Sequence, residues 1–82
     1  MSFSYEMTNK EFNNQLFECT ILIVSLLLNQ YKEKVIDITD FKTHTTSKIS
    51  YILNNYDIIK DNIKKREIES LINECLEINS IL

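Results

Sequence analysis

The side chains that could perform catalysis or bind a metal are few in this chain of 82 residues. His44 is the only histidine, and Cys19 and Cys75 lie far apart with no C-x-x-C spacing. A zinc site needs several such ligands at close spacing. The chain also contains no glycine, the residue that lets a phosphate-binding loop approach its ligand closely. We therefore expect a non-enzymatic protein with no metal, no other cofactor and no small-molecule substrate.

The two cysteines and the apolar run at residues 20–28 bear on the compartment. Both cysteines lie in apolar stretches that are predicted to be helical, which is typical of reduced and buried thiols. The apolar run is shorter than the about 20 residues that a membrane-spanning helix needs. The N-terminus lacks the basic region of a signal peptide. We expect a cytoplasmic protein that has no contact with a membrane and keeps both thiols reduced and buried.

Basic side chains that could bind phosphate groups are concentrated in the middle of the chain. The formal net charge is −3, but residues 41–66 hold six basic residues against two aspartates. Residues 67–82 hold four glutamates and no basic residue. Such asymmetry indicates a phosphate-facing surface on an otherwise acidic protein. The alternative is that the run Lys64, Lys65 and Arg66 is simply solvated.

Three apolar periodicities predict the elements that position these side chains. The first helix runs from Asn9 to about Tyr31, with Thr8 and Glu11 forming a capping box. Its predicted buried face consists of Phe12, Leu16, Cys19, Ile23, Leu26 and Leu27. The last helix runs from about Lys65 to Ile81, and its predicted apolar face consists of Ile68, Leu71, Ile72, Cys75 and Ile78.

The segment from residue 38 to residue 56 permits two interpretations. Residues 43–47 are threonines, a histidine and a serine, which favour caps and turns. A helix could therefore begin near Ser47, with Asp37 or Thr39 capping a separate helix before it. Ile49, Ile52, Leu53 and Tyr56 would form the buried face of the later helix. Alternatively, residues 38–56 form one unbroken helix, because these residue types are poor but acceptable helix formers.

Residues 36–55 resemble the helix-turn-helix of winged-helix DNA-binding proteins. Ser47, the pair Ile49-Ser50, the pair Ile52-Leu53 and Asn54 resemble the recognition helix of that family. Residues 17–30 resemble the helix that packs behind it, and residues 60–66 would correspond to the wing. Small members of the family include MarR-like regulators and the centromere-binding adaptors of plasmid or phage partition systems. The resemblance implies a DNA-binding homodimer that pairs through its last helix.

The predicted fold is therefore all-α or mostly α, in a single domain over residues 1–82. It is either a small helix-turn-helix domain, with or without a wing, followed by a C-terminal helix, or a plain three-helix bundle. The candidate DNA-binding residues are Ser47, Lys48, Ser50, Tyr51, Asn54, Asn55, Lys64, Lys65 and Arg66. Tyr51 could instead be a partly buried ring, and Asn54 could be a helix C-cap.

A second functional class fits the same observations. The chain could be a small helical module that binds another protein, such as an antitoxin, an immunity protein or a phage-encoded inhibitor. In either class we expect a homodimer, because so short a chain has few partners for the apolar surface of its first and last helices.

Overall fold

A computed structural model describes residues 9–80 and shows three α-helices in sequence. The helices are α1 (Asn9–Lys32), α2 (Ile38–Asn54) and α3 (Asn62–Asn79), and a 3-10 turn (Tyr56–Ile58) lies between the last two. No strand occurs among residues 9–80. The prediction of an all-α domain is confirmed. The predicted bounds of α1 agree with the structure to within one residue at its C-terminal end, and the predicted cap residue Thr8 lies outside the described residues.

Residues 38–54 form one helix, so the turn predicted within residues 43–47 is absent. The hydroxyl of Thr45 donates to the carbonyl of Phe41 at 2.7 Å, and that of Thr46 donates to Lys42 at 2.7 Å. Because each hydroxyl bonds to a carbonyl of the preceding turn, these side chains do not divert the backbone from the helix. The unbroken-helix alternative is therefore the correct one for this segment, and the helix ends at Asn54.

Aspartates begin the second and third helices. The Asp37 carboxylate accepts a hydrogen bond from the backbone N–H of Asp40 at 2.8 Å, which confirms one of the two predicted caps. The Asp61 carboxylate accepts from the N–H of Ile63 at 2.9 Å. Because Asp61 caps the helix there, α3 starts three residues earlier than predicted. Residues 62–66 are therefore helical and do not form a wing.

The three helices run up, down and up around one core. The rings of Tyr31 and Phe41 lie 5.2 Å apart beside the first connection, and those of Phe17 and Tyr51 lie 6.3 Å apart further along the pair. These contacts make α1 and α2 antiparallel. The Tyr56 hydroxyl then donates to the carbonyl of Lys65 at 3.1 Å and fixes the start of α3 beside the end of α2. The buried apolar residues are Phe17, Val24, Leu28, Phe41, Ile49, Ile52, Ile59, Ile68, Ile72 and Cys75.

The buried face of α1 is not the predicted one. Phe17, Thr20, Val24 and Leu28 face the core, and the Thr20 hydroxyl donates to the carbonyl of Leu16. Five of the six residues predicted to be buried are exposed, and they are Phe12, Leu16, Cys19, Ile23 and Leu26. The prediction was wrong because α1 carries two apolar stripes, and the helices α2 and α3 cover only one of them.

Two smaller expectations are also corrected. Cys75 is buried but Cys19 is exposed, and both are free thiols, so the prediction that both are buried holds for Cys75 alone. Leu53, predicted to face the core, is 52% exposed at the edge of α2, whereas its neighbour Ile52 is completely buried.

The contrast between Ile52 and Leu53 supplies a stability test. Truncation of Ile52 to alanine leaves a cavity in the core, so Ile52→Ala should lower the free energy of unfolding by about 2–5 kcal/mol. Leu53→Ala removes a side chain of similar volume from a half-exposed position, so it should lower the free energy of unfolding clearly less than Ile52→Ala does. Urea denaturation followed by circular dichroism measures both values. Equal losses in the two variants would contradict the core described above.

The end of α1 supplies a second test, because its geometry normally requires glycine. Lys34 has φ 64°. The N–H of Val35 donates to the carbonyl of Gln30 at 2.8 Å, and the N–H of Lys34 donates to the carbonyl of Tyr31 at 3.0 Å. This is a Schellman motif with a lysine in the left-handed position, where a side chain costs about 1–2 kcal/mol.

Lys34→Gly should therefore raise the free energy of unfolding, by up to about 1 kcal/mol after the extra chain entropy of glycine is subtracted. Lys60→Gly is the matched control, because Lys60 has no positive φ and gains nothing from glycine. A Lys34→Gly variant that is no more stable than the Lys60→Gly variant would contradict this assignment.

Candidate functional site

The side chains that could bind a metal ion do not cluster within the described residues. Within residues 9–80, no three histidine, cysteine, aspartate or glutamate side chains are placed to hold a metal ion together. His44 is exposed on α2. Burial, reinforced by the charge of Glu74, raises the pKa of the Cys75 thiol to about 11. That thiol therefore stays protonated at neutral pH and is a poor nucleophile.

The candidate DNA-binding residues of α2 fall into two groups. Ser47, Ser50 and Asn54 are exposed on the side of α2 away from the core. Tyr51 is the partly buried ring of the alternative interpretation, since it packs against Phe17.

The other two candidates on this part of the chain bond within α2. The Lys48 ammonium donates to the carbonyl of His44 at 2.9 Å. Asn55, not Asn54, caps the helix, because its side-chain amide donates to the carbonyl of Tyr51 at 2.8 Å. Of the six candidates between residues 47 and 55, only Ser47, Ser50 and Asn54 therefore present polar side chains that are not engaged in a hydrogen bond or ring contact within residues 9–80 of the bundle.

The basic run lies in the first two turns of α3, and two of its three side chains contact other parts of the chain. Lys64 forms an ion pair with Glu18 of α1. The Lys65 ammonium lies 5.7 Å from the centre of the Tyr56 ring, within cation–π range. Arg66 is exposed and faces a shallow surface with Glu69 and Glu77. The run therefore offers less free positive charge than its sequence indicates.

The most extensive unexplained feature is an apolar stripe on the outer side of α1. It consists of Phe12, Leu16, Cys19, Ile23 and Leu26, and is called the outer strip below. Spacings of 4, 3, 4 and 3 residues place all five within an arc of about 80° of the helix surface. Phe12 is 57% exposed and Leu26 is 55% exposed. Large apolar side chains in such a contiguous row mark interaction surfaces.

The flanks of the outer strip extend it on both sides. Leu22, which adjoins it on one side, is 67% exposed. On the other side, Leu16 lines a shallow groove of about 200 Å³ between α1 and α2, together with Ser47, Lys48 and Tyr51. Three of the candidate DNA-binding residues therefore lie beside the outer strip, so the two candidate surfaces are continuous.

A second apolar groove lies between α2 and α3. Leu53, Tyr56, Ile72 and Leu76 line it, and its volume is about 310 Å³. Burial raises the pKa of the Tyr56 hydroxyl, and the hydrogen bond and negative charge of Glu69 raise it further. The same hydroxyl donates a hydrogen bond to the Lys65 carbonyl. The tyrosine is therefore a structural link between α2 and α3, not an ionisable group that could act as a base.

The sequence shows the outer strip as a helical periodicity, but that periodicity was predicted to face the core, and a second one in α1 was missed. Residues 17, 20, 24, 28 and 31 repeat at spacings of 3, 4, 4 and 3, which is also a helical periodicity, so two stripes share one helix. Comparison of the chain with protein-family models, with curated proteins and with solved structures finds no match. No helix within residues 9–80 is long and apolar enough to span a lipid bilayer.

Proposed function

We propose that this protein is a non-enzymatic, helical protein-interaction module whose working surface is the outer strip of α1. The observation that supports this proposal most directly is the exposure of five apolar or weakly polar side chains at a 4-3-4-3 spacing. This is the heptad spacing by which one helix inserts its side chains between those of another. The occupant would accordingly be an apolar helix face on another polypeptide chain.

The charges around the outer strip specify the chemistry of that occupant. Between Glu11 and Lys32 the only ionisable side chain of α1 with a formal charge is Glu18, and it pairs with Lys64 on the side facing α3. The outer strip itself is therefore uncharged for about four helical turns, and Lys48 of α2 lies at its edge across the groove. A charged or strongly polar helix would lose its hydration there without gaining a partner, so an apolar helix face is favoured.

The proposed function is tested by comparing the proteins retained by three tagged forms of the chain. Ile23→Glu places a charge in the middle of the outer strip. Ile63→Glu is the matched control, because Ile63 is 68% exposed in the first turn of α3, where a glutamate is favourable to the helix. Retained polypeptides are identified by mass spectrometry, and an untagged copy of the chain is expressed alongside as one possible partner.

We expect at least one identified polypeptide to be retained by the wild type and by Ile63→Glu and to be lost with Ile23→Glu. Circular dichroism verifies that all three forms are folded. If the same polypeptides are retained by all three forms, the outer strip is not a docking surface and the proposal is wrong.

A second proposal, binding to DNA, is supported by a different observation. Ser47, Ser50 and Asn54 form an exposed polar row on α2, and asparagine can pair with adenine through two hydrogen bonds. A winged-helix or helix-turn-helix relationship, with roles as a regulator or partition adaptor, belongs to this proposal. The DNA-binding proposal is weaker than the protein-interaction proposal, because α2 is unbroken and because Lys64 and Lys65 make contacts inside the protein.

Salt-dependent titration against duplex DNA tests the second proposal. Arg66→Ala should reduce the slope of log affinity against log salt by about 1, because one phosphate contact is lost. Asn54→Ala should leave the slope nearly unchanged and should weaken the binding free energy by about 1–3 kcal/mol for DNA with the preferred base pair at the contacted position. Absence of binding by the wild type at low salt would contradict the proposal.

A further inference from the structure

The outer strip is complementary to itself. In a parallel pairing of two α1 helices, each of its residues meets the same residue of the other copy, so apolar side chains face apolar side chains throughout. In an antiparallel pairing centred near Ile21, Leu16 meets Leu26 and Cys19 meets Ile23. Either direction satisfies the knobs-into-holes geometry of the heptad, and a twofold axis requires the same patch on both subunits.

Charge does not oppose this self-pairing. Like charges facing each other would disfavour a homodimer, but the outer strip and Leu22 beside it carry no charge. The ion pairs of Glu18 with Lys64 and of Lys32 with Glu74 are both made between α1 and α3, inside one copy. A second copy can therefore approach without breaking either pair.

The exposed area is of the size that a small dimer requires. Phe12, Leu16, Leu22, Ile23 and Leu26 are each between 43% and 67% exposed. At roughly 100 Å² for each side chain, they form an apolar patch of about 500 Å² on each copy. Two such patches bury about 1,000 Å² in total, which is the lower limit for a specific interface. Ser47, Lys48 and Tyr51 across the groove supply a polar rim.

From these observations we infer that the outer strip of α1 binds the outer strip of a second copy of this chain, with Cys19 inside the contact. This inference rests on the proposed function, since it names the partner of the same surface. It changes the state of one thiol in a measurable way. Cys19 is exposed in a single copy and covered in the dimer, whereas Cys75 is buried in both.

Purified protein is sufficient for the test. Sedimentation of the wild type should show a dimer in the micromolar range, and Ile23→Glu should raise the dissociation constant by at least about 100-fold, because two charges enter an apolar contact. Leu26→Glu provides a second variant if the first does not fold. Ile63→Glu, changed at an exposed apolar site on α3, should dimerise like the wild type.

Labelling of the wild-type thiols with a maleimide gives a readout that needs no variant. Cys19 should react rapidly at dilutions where the protein is monomeric, and more slowly in proportion to the dimer fraction as concentration rises. Cys75 should remain unlabelled until the protein is unfolded. The inference would be overturned by a wild type that stays monomeric at concentrations 100-fold above the micromolar range. It would also be overturned by a dimer in which Cys19 stays fully reactive. A monomer that nevertheless retains another polypeptide through the outer strip would overturn the inference and leave the proposed function standing.

Discussion

The apolar surface of α1 exceeds what two helices of the lengths of α2 and α3 can cover. Its inner stripe, Phe17, Val24 and Leu28, lies in the core, while the outer strip faces away from it. Each fully buried side chain of this kind contributes about 1.5–3 kcal/mol by leaving water. The same energy is available to the outer strip only if something outside residues 9–80 of one copy covers it. This surplus connects the packing of the bundle to the proposed function.

The two stripes of α1 lie about 120° apart around the helix, and ion pairs with α3 accompany the one that faces inward. A rotation of α1 by about 120° would place the outer strip in the core and expose the inner stripe. It would also separate Glu18 from Lys64 and Lys32 from Glu74. Exposed ion pairs contribute at most about 1 kcal/mol each. The ion pairs therefore add to the preference for the observed orientation of α1, but they are small beside the burial of the inner stripe.

The sequence allowed the helices and the buried face of α3 to be predicted, but not which face of α1 is buried. The bounds of α1 and the cap at Asp37 follow from local signals, namely periodicity and a carboxylate placed to accept a backbone N–H. The choice between the stripes of α1 is made by contacts with α2 and α3, which no local signal encodes. The candidate site was mispredicted for the same reason, because Lys64 and Lys65 were counted as free charges. The partner of Lys64 is Glu18, which is distant in sequence, and the partner of Lys65 is Tyr56, which lies across a turn.

The threonines of α2 show why the middle of the chain could not be assigned from propensity. A threonine hydroxyl can cap a new helix or bond to the carbonyl four residues earlier, and both uses satisfy it. Thr45 is completely buried, so its hydroxyl needs a partner inside the protein, and the Phe41 carbonyl supplies one only while the helix continues. A break at this point would leave a buried hydroxyl and several backbone groups without partners. The continuity of α2 thus satisfies the hydroxyl of the completely buried Thr45, and the polar residues that suggested a turn are accommodated inside one helix.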